Sequence, residues 1–197
     1  MKNNKDIAVL FARRDSIYKQ FPNCDVYDID RNALNFPGGM PVIAHPPCRA
    51  WGRLRHFANP RPGEKELALF ALDMIRKNGG ILEHPASSTL WKEMNLPVGQ
   101  DVDKWGGWTM SINQHWFGHL AEKKTWLYIV GIKPSEISDY SISFSAITHT
   151  VSSSKSKIRN KKEISKKMRE ETPEQFAQWL IENALLIKHN YNHANNC

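Results

Sequence analysis

"IAVLFARRDS" runs from Ile7 to Ser16. Six apolar residues stand in a row and stop at two arginines and an aspartate. A short unbroken apolar run of this kind is the mark of a strand buried on both faces. Reading outward, "DVYDID" (Asp25–Asp30) gives a second strand ending in acids, and "PVIAH" (Pro41–His45) a third. In "GEKELALFALDMIRKNGG", Leu67, Phe70, Ala71, Met74 and Ile75 recur at helical spacing. Acids lead this segment, Arg76 and Lys77 close it, and Gly79 supplies a stop. "GILEH" (Gly80–His84) and "KTWLYIVGI" (Lys124–Ile132) are a fourth and a fifth strand. The Trp- and Gly-rich "WGGWTMSINQHWFGH" between them carries no clear period. Strands alternating with helices predict an α/β fold with a mostly parallel sheet.

The chain has 197 residues, enough for one domain. Residues 1–132 read as the core and 133–170 as a mobile basic loop rich in Ser and Lys. Residues 171–188 read as a C-terminal helix that completes the core, and 189–197 as a disordered tail. That helix carries Thr172-Pro173-Glu174-Gln175, a capping box with proline at the first helical position. No apolar run is long enough to span a membrane, and the first residues lack the apolar core of a signal peptide. The expectation is a cytoplasmic protein with no membrane partner. Cys24, Cys48 and Cys197 show no framework spacing and no CxxC pair, which speaks against a disulfide scaffold and a zinc ribbon.

The net charge is +7. It concentrates in Ser152–Arg169 and around Arg49, Arg53, Arg55 and Arg61, where Trp51, His56 and Phe57 interleave. Guanidinium groups and flat rings together suit a nucleic acid; solubility alone is the plainer reading.

In parallel sheets ligands bind beyond the carboxyl ends of the strands. Arg13, Asp28, Asp30, His45, Cys48, Glu83 and His84 all fall there. Cys48 follows two prolines that fix its approach, and Arg49, Arg53 and His45 would favour its thiolate, a nucleophile. A buried, inert thiol is the alternative. Glu83 could hold or protonate a ring nitrogen, or merely pair with an arginine. A metal site built from His45, Cys48, His56, His84, His115 and His119 is the rival chemistry.

Taken in order, these segments resemble a small, divergent cytosine-5 DNA methyltransferase of phage type. "IAVLFARRDS" is similar to the family's opening strand and cofactor turn, and "DVYDIDRNAL" to the strand whose acid holds the cofactor ribose. "AHPPCRAWGRLR" is similar to the Pro-Cys motif, "GGILEHP" to the strand ending in Glu-Asn. "WFGHLAEKKTWLYIVG" is similar to the later Phe-Gly … Gln-x-Arg-x-Arg … Ile-Val-Gly segment, and "ETPEQFAQWLIENAL" to the terminal helix.

The resemblance implies a Rossmann-like sheet of the class I methyltransferase type, acting on DNA at carbon 5 of a pyrimidine after cysteine addition to carbon 6. Cys48 would be the nucleophile and Glu83 the acid on the ring. Pro47, Arg49, Arg53, His84 and Lys124 would bind substrate. Phe11, Arg13, Asp28 and Asp30 would hold S-adenosylmethionine; no metal is implied. A base in a duplex would first have to leave the stack. The chain departs from the pattern in three places. Ala12-Arg13-Arg14-Asp15 has no glycine where the family has its cofactor turn, His84 replaces asparagine, and Trp126 replaces the second arginine. Three alternatives therefore stand beside methylation: hypermodification of a pyrimidine such as thymine without S-adenosylmethionine, a catalytically silent DNA-binding decoy, and a metal-dependent nuclease or hydrolase.

Overall fold

The computed structural model describes residues 5–52, 55–151 and 160–194, the last four by their backbone only. Arg53 and Cys197 lie outside the described residues. A six-stranded sheet runs through the centre. It comprises β1 (Ile7–Leu10), β2 (Cys24–Tyr27), β3 (Val42–Ala44), β4 (Gly80–Pro85), β5 (Trp108–Asn113) and β6 (Lys124–Val130). The spatial order is β2-β1-β3-β4-β6-β5. β1 to β4 pair in parallel, whereas β6 runs antiparallel to both β4 and β5. The fold is thus α/β with a mostly parallel sheet, compatible with a Rossmann-like arrangement.

The unbroken apolar run of β1 has its physical cause in two covered faces. Ile7 and Val9 point into one core layer with Ile43, Ile81 and the C-terminal helix; Ala8 and Leu10 point into the other. The first layer lies under α4 (Glu174–Ala194), which contributes Phe176, Trp179, Leu180, Ala184 and Ile187. The second lies under α1 (Glu64–Asn78), through Ala68, Ala71, Leu72 and Ile75. α1 begins and ends as its charge pattern requires, with Glu64 and Glu66 in the first turn and Arg76 and Lys77 in the last. It passes into β4 through Gly79 and Gly80. Gly80 adopts φ +142°, and a Cβ there would collide with the Val42 backbone.

Several local expectations are corrected. The segment after β1 forms a short 3-10 helix, Ile17–Gln20. The Trp- and Gly-rich stretch holds β5, which pairs with β6 along its whole length. Within it Trp108, Met110 and Ile112 face one core layer while Thr109, Ser111 and Asn113 face the other, more open side, an alternation confined to six residues. The 133–170 span is more structured than a loop, with the short pair β7 (His149–Thr150) and β8 (Lys162–Glu163) and the helix α3 (Lys166–Glu170). In α4 the Ala177 N–H bonds to the Pro173 carbonyl at 2.9 Å, so Pro173 precedes the first helical residue instead of occupying it. The same helix continues past Lys188 to Ala194, into the segment expected to be a disordered tail. One further helical turn, α2 (Leu90–Glu93), follows β4. No helix among the described residues is long and apolar enough to cross a membrane.

Candidate functional site

From β2 the chain returns across β1 to reach β3, so the strand order reverses between β1 and β3. Such a reversal opens a crevice beyond the carboxyl ends of the two strands. Here the His45 N–H bonds to the Leu10 carbonyl at 3.1 Å, which closes the last rung beside that crevice.

A polar network fills the floor of the crevice. Glu83, near the end of β4, accepts from Gln114 Nε2 on Oε1 at 2.8 Å, and its Oε2 lies 3.2 Å from His45 Nδ1. His45 Nε2 lies 3.0 Å from the hydroxyl of the fully buried Tyr18. With Tyr18 donating to Nε2, His45 donates from Nδ1 to the carboxylate. Gln114 also donates to Thr125 Oγ1 at 3.1 Å. Burial pushes the Glu83 carboxyl up, but the Lys123 charge, the His45 hydrogen bond and the neighbouring His45 and His84 rings outweigh it and bring it down to about 2. Glu83 is therefore an ionised, acceptor-only group at neutral pH.

Cys48 is exposed at the mouth. Its carbonyl accepts from Trp51 at 3.1 Å and from Gly52 at 2.8 Å, so the chain winds tightly behind it. The Trp51 carbonyl in turn accepts from Thr89 at 2.9 Å, pinning this loop to the segment after β4. Desolvation by its surroundings and, next, the Glu83 charge push the thiol above its ordinary range, against a smaller pull from Lys123.

That reverses the expectation of a thiolate made by basic neighbours. Arg49 is committed to Glu64, with Nε donating to Oε1 at 2.8 Å and Nη2 to Oε2. His45 is held by Glu83 and Tyr18. Trp51, expected among the flat rings available to bases, is 1% exposed and belongs to the core, whereas Phe57 is 85% exposed. His84 is corrected as a substrate contact. It points to the opposite face of β4, is fully buried, and packs edge-on to Trp91 at 6.4 Å. Neither of its ring nitrogens has a partner among the described residues, and burial lowers its pKa to about 4. Pro47 stands half-buried beside Cys48. Lys124 is exposed at the start of β6, 3.9 Å from Glu122.

The cofactor candidates are engaged within the chain. Phe11 takes φ +61°, a strained value for a bulky residue, and packs edge-on to Phe70 at 6.3 Å. Arg13 grips Asp15 and donates to the Lys167 carbonyl at 2.9 Å, tying the end of β1 to α3. Arg14 makes a two-pronged contact with Asp30 at 2.6 and 2.8 Å. Asp28 accepts from Lys19 at 2.6 Å and from the Asp30 and Arg31 N–H groups. These acids are thus paired within the chain, and the turn after β1 has no glycine.

The histidines weighed as metal ligands are also dispersed. Both ring nitrogens of His115 face carbonyls, of His119 and Ser145, and His119 Nδ1 faces that of Ala121. Among the described residues no three His, Cys, Asp or Glu side chains come together as a ligand set.

Sequence reasoning missed Gln114, Lys123 and Tyr18. Gln114 lies in the Trp- and Gly-rich stretch that carries no clear period, Lys123 just before β6, and Tyr18 in the short 3-10 helix after β1. The chain matches no family model, no curated protein and no solved structure with which it was compared.

Proposed function

We propose that this protein acts on a pyrimidine of a nucleic acid, by addition of the Cys48 sulfur to carbon 6. One observation carries the reading: an exposed thiol just after β3 and a partly buried, ionised carboxylate near the end of the adjacent strand β4 stand at neighbouring strand ends. The resemblance to cytosine-5 methyltransferases implies the same two residues, Cys48 as nucleophile and Glu83 as the acid on the ring.

In this reaction the Cys48 S–H bond breaks with its proton passing to solvent, the Sγ–carbon 6 bond forms, and the carbon 5–carbon 6 electron pair moves toward carbon 5. Glu83 accepts a hydrogen bond from an N–H on the ring edge, and Lys123 offsets charge that develops on the ring. Proton uptake at carbon 5, loss of the original hydrogen and expulsion of the sulfur return the pyrimidine with a solvent hydrogen. No step is drawn through S-adenosylmethionine: the acids past β2 are paired with Lys19 and Arg14, and the turn after β1 lacks glycine. Calorimetry with that cofactor is expected to give no binding heat.

The test is exchange of the carbon 5 hydrogen. Oligonucleotides containing cytosine or uracil, incubated with the protein in deuterium oxide, should gain mass at carbon 5. Cys48→Ser should stop the gain while keeping oligonucleotide affinity within about twofold. Equal exchange by the variant would overturn the assignment. A second reading, binding without chemistry, is favoured by the elevated Cys48 thiol. It expects oligonucleotide binding with no exchange in the unmodified protein.

A further inference from the structure

On the opposite face of the sheet, past the end of β4, lies a pocket of about 470 Å³. It opens beyond β4, between the segment Ala86–Val98 and β6. Two indoles form its wall. Trp91 is fixed by a bond from its Nε1 to the Pro85 carbonyl at 2.9 Å, and Trp126 leans against it with ring centroids 5.4 Å apart at 58°. Trp126 is partly exposed. Ser87, Ser88 and Asn95 contribute polar atoms to the lining, and Lys92, exposed, is its one charged side chain.

We propose that this pocket stacks an unpaired base of a single-stranded nucleic acid, the nucleotide next to the one held in the crevice. The inference rests on the nucleic-acid reading above and names where the strand runs. A partly exposed indole offers a flat π face that any base can use. An ammonium group at the rim, with no carboxylate in the lining, suits a phosphate and disfavours an anionic surface. The volume falls in the range of sites that enclose small ligands.

Position completes the case. In the β4–β6 pairing Trp126 lies opposite His84, and its neighbour Leu127 opposite Glu83. Successive residues on a strand face opposite sides of the sheet. Glu83 therefore serves the crevice on the α4 side, and Trp126 the pocket on the α1 side, one residue apart. A nucleic-acid strand passing over the end of β4 and the start of β6 can present one base to each, whereas a duplex, whose bases stay stacked on each other, cannot.

Binding of a short labelled oligodeoxynucleotide, followed by fluorescence anisotropy, tests this. Trp126→Ala should weaken single-strand binding about tenfold, and Trp126→Phe should restore most of it. Lys92→Ala should flatten the salt dependence by about 0.7 in log–log slope. If the unmodified protein binds no oligonucleotide, the nucleic-acid reading fails and this site fails with it. If it binds, and Trp126→Ala binds equally well, only the stacking site is overturned. Should Trp126→Ala not fold, the exposed Lys92→Glu decides: a several-fold loss supports the site and unchanged affinity overturns it. Equal sensitivity of single-stranded and duplex DNA to these changes would also overturn it.

Discussion

Gln114 donates its side-chain amide to Glu83 across 31 residues of sequence, at 2.8 Å, from the turn between β5 and β6 to the end of β4. The same nitrogen donates to Thr125, so the amide is fixed from two sides. A hydrogen bond to a charged acceptor contributes about 1.5–3 kcal/mol. Gln114→Leu is therefore expected to lower stability by about 2 kcal/mol at neutral pH, measured by urea unfolding. The loss should shrink as the pH approaches 2, where Glu83 takes up a proton in the folded protein.

The sign of that pH dependence follows from the carboxyl itself. Glu83 titrates near 2 in the folded protein against an ordinary 4.5. Between these values the unfolded state binds more protons, so stability falls as the pH drops from about 4.5 to 2. The full difference is about 3 kcal/mol. Glu83→Gln should remove this limb of the stability profile.

A separate limb belongs to His84. Its ring titrates near 4 when folded and 6.5 otherwise, so stability declines as the pH falls between those two values. The ring is fully buried and its nitrogens find no partner among the described residues. Burying unsatisfied polar atoms costs about 1–3 kcal/mol. His84→Leu is expected to raise the unfolding midpoint at pH 7 and to flatten the profile between pH 6.5 and 4. A lower midpoint would mean that the imidazole contributes a contact the leucine cannot.

Cys48 should be a slow thiol at pH 7 despite its exposure, because desolvation and the Glu83 charge hold it protonated. Alkylation by iodoacetamide, read by mass spectrometry at the Cys48 peptide, should accelerate with pH above the range of an ordinary thiol. Glu83→Gln removes the opposing charge and should speed alkylation at pH 7 several-fold. Cys24, buried and pushed up to about 11, should stay unmodified in the folded state.

Gly80→Ala tests the close packing at the head of β4. The new methyl group would meet the Val42 backbone at a φ that L side chains rarely adopt. A loss of about 4 kcal/mol or failure to fold is expected, against about 1–2 kcal/mol for Gly99→Ser, where φ is +75° but nothing crowds the site.

The parallel strands were legible because their chemistry is local. Ile7–Leu10, Val42–Ala44 and Gly80–Pro85 are short apolar runs closed by polar residues, and burial on both faces leaves that pattern in the sequence itself. The periodicity and terminal charges of Glu64–Asn78 located α1 for the same reason. Side-chain commitments were not legible. Arg49 stands next to Cys48 in the chain, yet Glu64 takes its guanidinium. Trp51 sits among exposed basic residues, yet its ring is in the core. His84 follows Glu83, yet the alternation of a strand sends it to the other face. Partners such as Gln114 and Lys123 arrive from a hairpin whose place beside β4 depends on sheet order. Sequence determined which residues stand at the strand ends, because hydrophobic burial is read one residue at a time. Tertiary structure alone decided which charges neutralise each other there, because a charge is settled by its nearest partner in space and not in the chain.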